Sequence, residues 1–118
     1  MAKAEGDWKC AVALSRRRKE PLPDIICFHC QQCVEKYLKA LLAGVKKNPP
    51  KIHGLVKLID LCAQHDPLLR ALVPLARSLD VYAVGVRYPG TKATVAEAKD
   101  AVATTRKIRR VLRKALGL

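Results

Sequence analysis

The sequence contains few aromatic residues for its apolar content. One Trp, one Phe and three Tyr occur among 118 residues, half of which are hydrophobic. Leu, Val and Ala must therefore fill the core, and this composition favours packed helices over a β-sandwich, which would need more aromatic and β-branched residues. A chain of this length is too short to bury two independent cores, so we expect residues 1–118 to form a single domain.

Acidic residues are also scarce. Lys and Arg number 23 against 10 Asp and Glu, which gives a formal net charge of +13. Such an excess makes nucleic acid, nucleotides or an acidic protein suitable partners. The cations gather within residues 16–19, 46–51 and 106–114. Each patch could instead be a solvated helix face that keeps the protein soluble, and the last patch is the strongest candidate for a binding surface.

Long apolar runs are absent. No segment approaches the roughly 18 uncharged apolar residues of a membrane span, and the polar N-terminal residues do not resemble a secretory signal. The five cysteines are an odd number. A complete disulfide framework is therefore not expected, and free thiols in a reducing compartment are the simpler interpretation. We expect a cytoplasmic protein that does not contact a membrane.

Apolar residues that recur at helical spacing predict the first three helices. The first is predicted over residues 8–19. The second is predicted to begin at Asp24, as its N-cap, and to stop at Gly44. Its apolar stripe comprises Ile26, Cys30, Cys33, Val34, Tyr37, Leu38, Leu41 and Leu42. A short third helix is predicted over residues 54–63, after an exposed loop.

Two further helices are predicted in the second half of the chain. The fourth begins at Asp66, as its N-cap, and is kinked or divided at Pro74. Thr94 and Glu97 form a capping box for the last helix. That helix presents its basic residues outward and the following residues inward: Ala98, Ala101, Val102, Thr105, Ile108, Leu112 and Ala115. The sequence therefore predicts an all-α, antiparallel up-and-down bundle of about four to five helices.

Cys27, Cys30 and Cys33 have the CxxCxxC spacing that begins some iron–sulfur ligand sets. The fourth cysteine followed by proline is missing. In a helix, Cys27 and Cys33 would lie about 9 Å apart along the axis, whereas thiolates bound to one metal ion have sulfurs roughly 4 Å apart. We therefore interpret these cysteines as packing residues and predict no metal and no cofactor.

His29, Gln32 and Lys36 form a polar strip beside the apolar stripe of the second helix. We predict that the strip contributes to a ligand-binding site, although an exposed or hydrogen-bonded helix face is an equally simple interpretation. The chain has no glycine-rich phosphate loop, no HExxH motif and no paired carboxylates. Common hydrolase and nucleotide-binding folds therefore lack support, and we predict no catalytic residue.

Three segments together resemble the HEPN domain family, in pattern and in order: CFHCQQCVEKYLKALLAG, then KIHGLVKL, then LDVYAVGVRYPG. The family's second helix typically reads FHAQQAAEKALKALL, so Cys30 and Cys33 occupy positions where alanine is common. Matches to its RYP element are Asp80, Tyr82, Arg87, Tyr88 and Pro89. The resemblance implies a helical bundle, a homodimer, and a partnership with a minimal nucleotidyltransferase in a toxin–antitoxin or related system.

Many members of that family are metal-independent ribonucleases that use an arginine and a histidine separated by roughly four to six residues. After Arg87, the corresponding positions hold Lys92, Ala93 and Thr94. Because the histidine is missing, the resemblance favours a nonenzymatic module that binds nucleotide or RNA.

In that module, Arg87 is predicted to bind a phosphate and Tyr88 to stack or donate its hydroxyl, with His29, Gln32 and Lys36 beside them. Three alternatives stay open. Arg87 could form a structural ion pair with Asp80; a displaced catalytic set drawn from Arg87, Tyr88 and His29 could cleave RNA; or the chain could be a purely structural dimerising partner.

Overall fold

A computed structural model describes residues 2–17, 19, 22–45, 51, 54–82 and 92–118. Within these residues the chain forms five α-helices and one 3-10 helix, with no β-strand. The elements are α1 (Ala2–Ser15), α2 (Pro23–Val45), α3 (Leu55–Ala63), the 3-10 helix (Pro67–Leu72), α4 (Val73–Asp80) and α5 (Val95–Ala115). The predicted all-α fold is confirmed. None of the helices described combines the length and the apolar character that a membrane crossing requires.

The central element is α2, which packs against α1, α3, α4 and α5. Its apolar stripe is buried as predicted, except that Leu41 is only partly buried. The helix begins at Pro23, two residues before Ile25, the residue that follows the predicted N-cap, and it continues one residue past Gly44 to Val45. Proline fits the first turn because the amide it lacks would have no partner there. Asp24 is therefore not the N-cap; its side chain accepts a hydrogen bond from the Ala93 amide at 2.7 Å, which ties the start of α2 to the segment before α5.

The three cysteines of α2 are fully buried in the core. Burial raises the pKa of Cys30 and of Cys33 to about 12. Both thiols are therefore protonated at neutral pH. No group of three His, Cys, Asp or Glu side chains in the described residues could hold a metal ion. The three cysteines are thus part of the buried core of the bundle.

The predicted fourth helix is divided in the way that Pro74 suggested. The Asp66 side chain caps the 3-10 helix by accepting from the Leu68 amide at 3.3 Å. A separate helix, α4, then begins at Val73, with Pro74 in its first turn, where the missing amide costs nothing. At the other end of α4, Asp80 accepts a hydrogen bond from the Leu55 amide at 2.7 Å and so caps α3.

The capping box of α5 is present. The Glu97 amide donates to the Thr94 hydroxyl at 3.0 Å, and the Thr94 amide donates to the Glu97 carboxylate at 2.9 Å. The predicted inward residues of α5 are buried, apart from Ala115, which is exposed in the last turn of the helix. One side of α5 packs against α1 and α2. The other side of the helix is exposed to solvent.

Candidate functional site

The first helix begins earlier than the sequence pattern predicted and ends at Ser15 rather than at Lys19. Its additional N-terminal turns carry two carboxylates. It begins at Ala2 rather than near Trp8, so that Glu5 and Asp7 lie on a helix packed against α2. Ala4 and Ala11 are both buried, at 1% and 0% exposure, and they extend the apolar face on both sides of Trp8. The spacing of these two small residues was the available signal for the earlier start.

Asp7 joins two residues of the predicted polar strip. His29 Nδ1 lies 2.7 Å from Asp7 Oδ1, and Lys36 Nζ lies 2.5 Å from Asp7 Oδ2. Asp7 itself is only 8% exposed, whereas the His29 and Lys36 side chains are 24% and 34% exposed. Because a carboxylate only accepts hydrogen bonds, we assign a proton to Nδ1 of His29. The Nε2 atom is then the ring nitrogen left for a ligand or for proton transfer.

Gln32, the third residue of the strip, has different partners. Its amide group donates to the side-chain oxygen of Gln31 at 2.7 Å. Gln31 in turn donates to Glu35 at 3.2 Å, and Glu35 pairs with Lys39 at 3.4 Å. Gln32 is therefore part of a hydrogen-bonded chain that runs along α2, beside the Asp7 contacts.

A second cluster surrounds Glu5 and joins α1, α2 and α5. Arg109 donates to both oxygens of Glu5, from Nε at 2.9 Å and from Nη2 at 2.5 Å. The Tyr37 hydroxyl also donates to Glu5. Arg113 Nη1 lies 3.4 Å from Glu5 and donates to the Tyr37 hydroxyl at 3.0 Å. Such two-pronged pairing of guanidinium and carboxylate fixes the geometry as well as the charge.

These contacts shift the ionisation of the groups involved. The hydrogen bond from Arg109 lowers the pKa of Glu5 from 4.5 to about 2, although burial acts in the opposite direction. Burial, followed by the hydrogen bond to Glu5, raises the pKa of Tyr37. At neutral pH, Glu5 is therefore an anion facing a neutral tyrosine, and its charge is balanced by Arg109 and Arg113.

The basic residues in the C-terminal half of α5 consequently divide into two groups, whereas the sequence predicted that all of them face outward. Arg109 and Arg113 turn toward Glu5 because that carboxylate lies within reach on α1. A second group is exposed and forms no ion pair with any carboxylate in the described part of the chain: Arg106, Lys107, Arg110 and Lys114. We call these four residues the α5 basic face.

An open groove between α1 and α5 borders the basic face. The guanidinium carbons of Arg106 and Arg109 lie 5.5 and 5.2 Å from the centroid of the Trp8 ring. Both distances are within the range of cation–π attraction. The groove has a volume of about 420 Å³ and is lined by Trp8, Arg106, Arg109, Arg110, Arg113 and Leu118. We call it the Trp8 groove; the sequence pattern did not reveal it.

Two of the predicted binding residues, Arg87 and Tyr88, lie outside the residues that the structure describes. Their proximity to the polar strip therefore stays a prediction. Asp80, proposed as an alternative partner of Arg87, is engaged with the Leu55 amide.

A comparison with known families identifies the fold family that the chain matches. The family model described as the HEPN domain matches residues 1–115, a range that includes all the helices described above. A comparison with curated proteins found no match, and a comparison with solved structures found none.

Proposed function

Because the chain belongs to the HEPN domain family, we propose that it binds nucleotide or RNA in partnership with a minimal nucleotidyltransferase, as one half of a toxin–antitoxin-like pair. Family membership supports a helical module related to nucleotides or RNA. We further propose that the chain forms a homodimer and acts in the cytoplasm beside its partner protein. Copurification with the product of a neighbouring gene would test the partnership.

One observation carries the binding proposal. Arg106, Lys107, Arg110 and Lys114 are exposed on a single helix. The nearby arginines, Arg109 and Arg113, neutralise Glu5 instead. The face therefore retains an uncompensated positive charge on a rigid element, the arrangement that attracts phosphate groups. No acidic residue lies between Arg106 and Lys114, whereas charges of both signs are usually interspersed on protein surfaces.

We retain His29, Gln32, Lys36, Arg87 and Tyr88 as proposed ligand-binding residues. Asp7 supports this role for two of them, because it orients the His29 ring and holds the Lys36 ammonium group at the surface of α2. Both side chains are partly exposed, so that a phosphate could reach them.

The first test is a titration of fluorescently labelled ATP and a short RNA into wild-type protein and Arg87→Ala. Loss of a charge-assisted contact to phosphate is expected to weaken binding by about 10-fold. Arg77→Ala serves as the matched control, since Arg77 is an exposed arginine of α4 outside the proposed site. Equal binding by wild type and Arg87→Ala would remove Arg87 from the site.

A second candidate function, ribonuclease activity with a displaced catalytic set, is favoured by the contact between Asp7 and His29. A carboxylate that holds Nδ1 leaves Nε2 positioned as a general base. Lys36 could stabilise the negative charge that develops on a phosphorane-like transition state. His29 and Lys36 would thus take the roles that the arginine–histidine pair has in many members of the family.

Incubation of purified protein with RNA in the presence of a chelator separates the two functions. The binding proposal predicts intact RNA. Cleavage by wild type that is abolished in His29→Ala, and retained in His65→Ala, would establish the ribonuclease instead. His65 is a suitable control because it is an exposed histidine after α3.

A further inference from the structure

The Trp8 groove combines an aromatic ring with four guanidinium groups. Two of these groups pair with Glu5, and the other two form no ion pair with a carboxylate in the described residues. We propose that it binds one nucleotide unit of single-stranded RNA, with the base against Trp8 and the phosphate on Arg106 and Arg110. This inference rests on the proposed function for the class of ligand. It adds a site on α1 and α5, separate from the residues of α2 and from Arg87 and Tyr88.

Trp8 is the surface for the base. Its ring is partly buried, packs against the hydrophobic core and also lines the groove. Proteins that bind single strands stack bases on such rings and on the planes of arginine side chains. Arg109, which lies beside the ring, is fixed by its two hydrogen bonds to Glu5. The surface that the base would contact is therefore ordered before the ligand arrives.

Arg106 and Arg110 are the groups proposed for the phosphate; the guanidinium of Arg106 also lies 5.5 Å from the centroid of the Trp8 ring, next to the proposed base. They are four residues apart on α5, so their side chains project from neighbouring turns on one side of the helix. Neither forms an ion pair with a carboxylate in the described residues, and both line the groove. A guanidinium group matches phosphate oxygens with two parallel hydrogen bonds. Arg109 and Arg113 already share Glu5, so Arg106 and Arg110 are the two arginines of the groove lining that have no carboxylate partner in the described residues.

The surroundings of the groove favour a single-stranded polymer over a mononucleotide or a duplex. The exposed cations continue from Arg106 to Lys114, about 12 Å along the helix axis. A chain with several phosphates can contact them together, whereas a mononucleotide contacts only part of the face. In a duplex the bases are stacked on each other, so none is available to a tryptophan ring.

Trp8 is the only tryptophan in the chain, so its fluorescence reports directly on the groove. Titration with an oligoadenylate of about ten nucleotides is expected to quench Trp8 emission. Arg106→Gln and Arg110→Gln should each weaken binding by about 5- to 10-fold, measured by anisotropy of the labelled oligonucleotide. Trp8→Phe, checked for folding by circular dichroism, should weaken it by about 5-fold. Arg77→Gln, which removes the same charge from α4, should change it less than about 2-fold.

The possible outcomes are distinct. Bound RNA with unchanged Trp8 emission, and an equal effect of Arg110→Gln and Arg77→Gln, would exclude the groove while leaving the proposed function intact. Equal quenching by ATP or by a blunt-ended duplex would overturn the assignment to single strands. An absence of binding to RNA and ATP in the anisotropy assay would overturn both the groove and the proposed function. If Trp8→Phe fails to fold, the two arginine variants still decide the question.

Discussion

Replacement of Glu5 by alanine is expected to lower the free energy of unfolding by about 2–3 kcal/mol. The change removes the acceptor shared by Arg109 and Tyr37, two groups that belong to different helices. The Tyr37 residue is fully buried, so its hydroxyl would lose a hydrogen bond that water cannot easily replace. Chemical denaturation followed by circular dichroism measures the effect. Asp60→Ala is the matched control, because Asp60 is an exposed carboxylate of α3.

The same carboxylate predicts a dependence of stability on pH. The pKa of Glu5 is about 2 in the folded protein, against an ordinary value of 4.5. A depressed pKa means that the stabilisation is complete above about pH 4.5 and is lost as the pH falls toward 2. Solvent screens this partly exposed group, so we expect wild type to lose about 1–2 kcal/mol more than Glu5→Gln over that interval. If the free energy of unfolding had the same pH dependence in wild type and in Glu5→Gln, Glu5 would not join α1 to α5.

Neutralising the α5 basic face is expected to reduce affinity for single-stranded RNA by at least about 100-fold. The variant replaces Arg106, Lys107, Arg110 and Lys114 with glutamine. All four side chains are exposed, so the substitutions should leave the fold intact, and polar substitutions at exposed helix positions usually change stability by less than about 0.5 kcal/mol. The loss of affinity follows from the loss of contacts to phosphate.

A matched variant with the same change in charge separates this surface from the overall net charge. It carries glutamine at four exposed positions elsewhere: Lys57, Arg70, Arg77 and Lys92. The two variants have equal net charge and equal numbers of Arg and Lys replaced. Similar losses of RNA affinity in both would mean that long-range attraction, and not the α5 basic face, accounts for binding.

Local sequence patterns predicted most of the fold. The apolar stripe of α2 was visible because its residues recur every three or four positions, and the Thr94–Glu97 capping box was visible because both partners lie within one turn. Pro74 likewise predicted the division between the 3-10 helix and α4. The cysteines of α2 were interpreted as packing residues, and the structure places them in the core. In each case the information lies within a few residues of the chain.

The candidate site depends on contacts that local patterns do not encode. Glu5 and Arg109 are 104 residues apart, and Asp7 lies 22 residues before His29. Nothing in the spacing of either segment indicates that these side chains meet. The sequence therefore identified the cations of α5 but not the division between those that neutralise Glu5 and those that stay exposed. The earlier start of α1, which brings both carboxylates to α2, was the feature missed.

The binding of a labelled single-stranded RNA to the wild-type protein across a series of salt concentrations tests the proposed function most directly. With about four phosphate contacts, the logarithm of the association constant should fall with the logarithm of the salt concentration with a slope of about −3. Affinity should then drop about 50-fold between 50 and 200 mM salt. Failure to bind at the lowest salt, or an affinity that does not change across the series, would contradict a nucleic-acid-binding role for the α5 basic face.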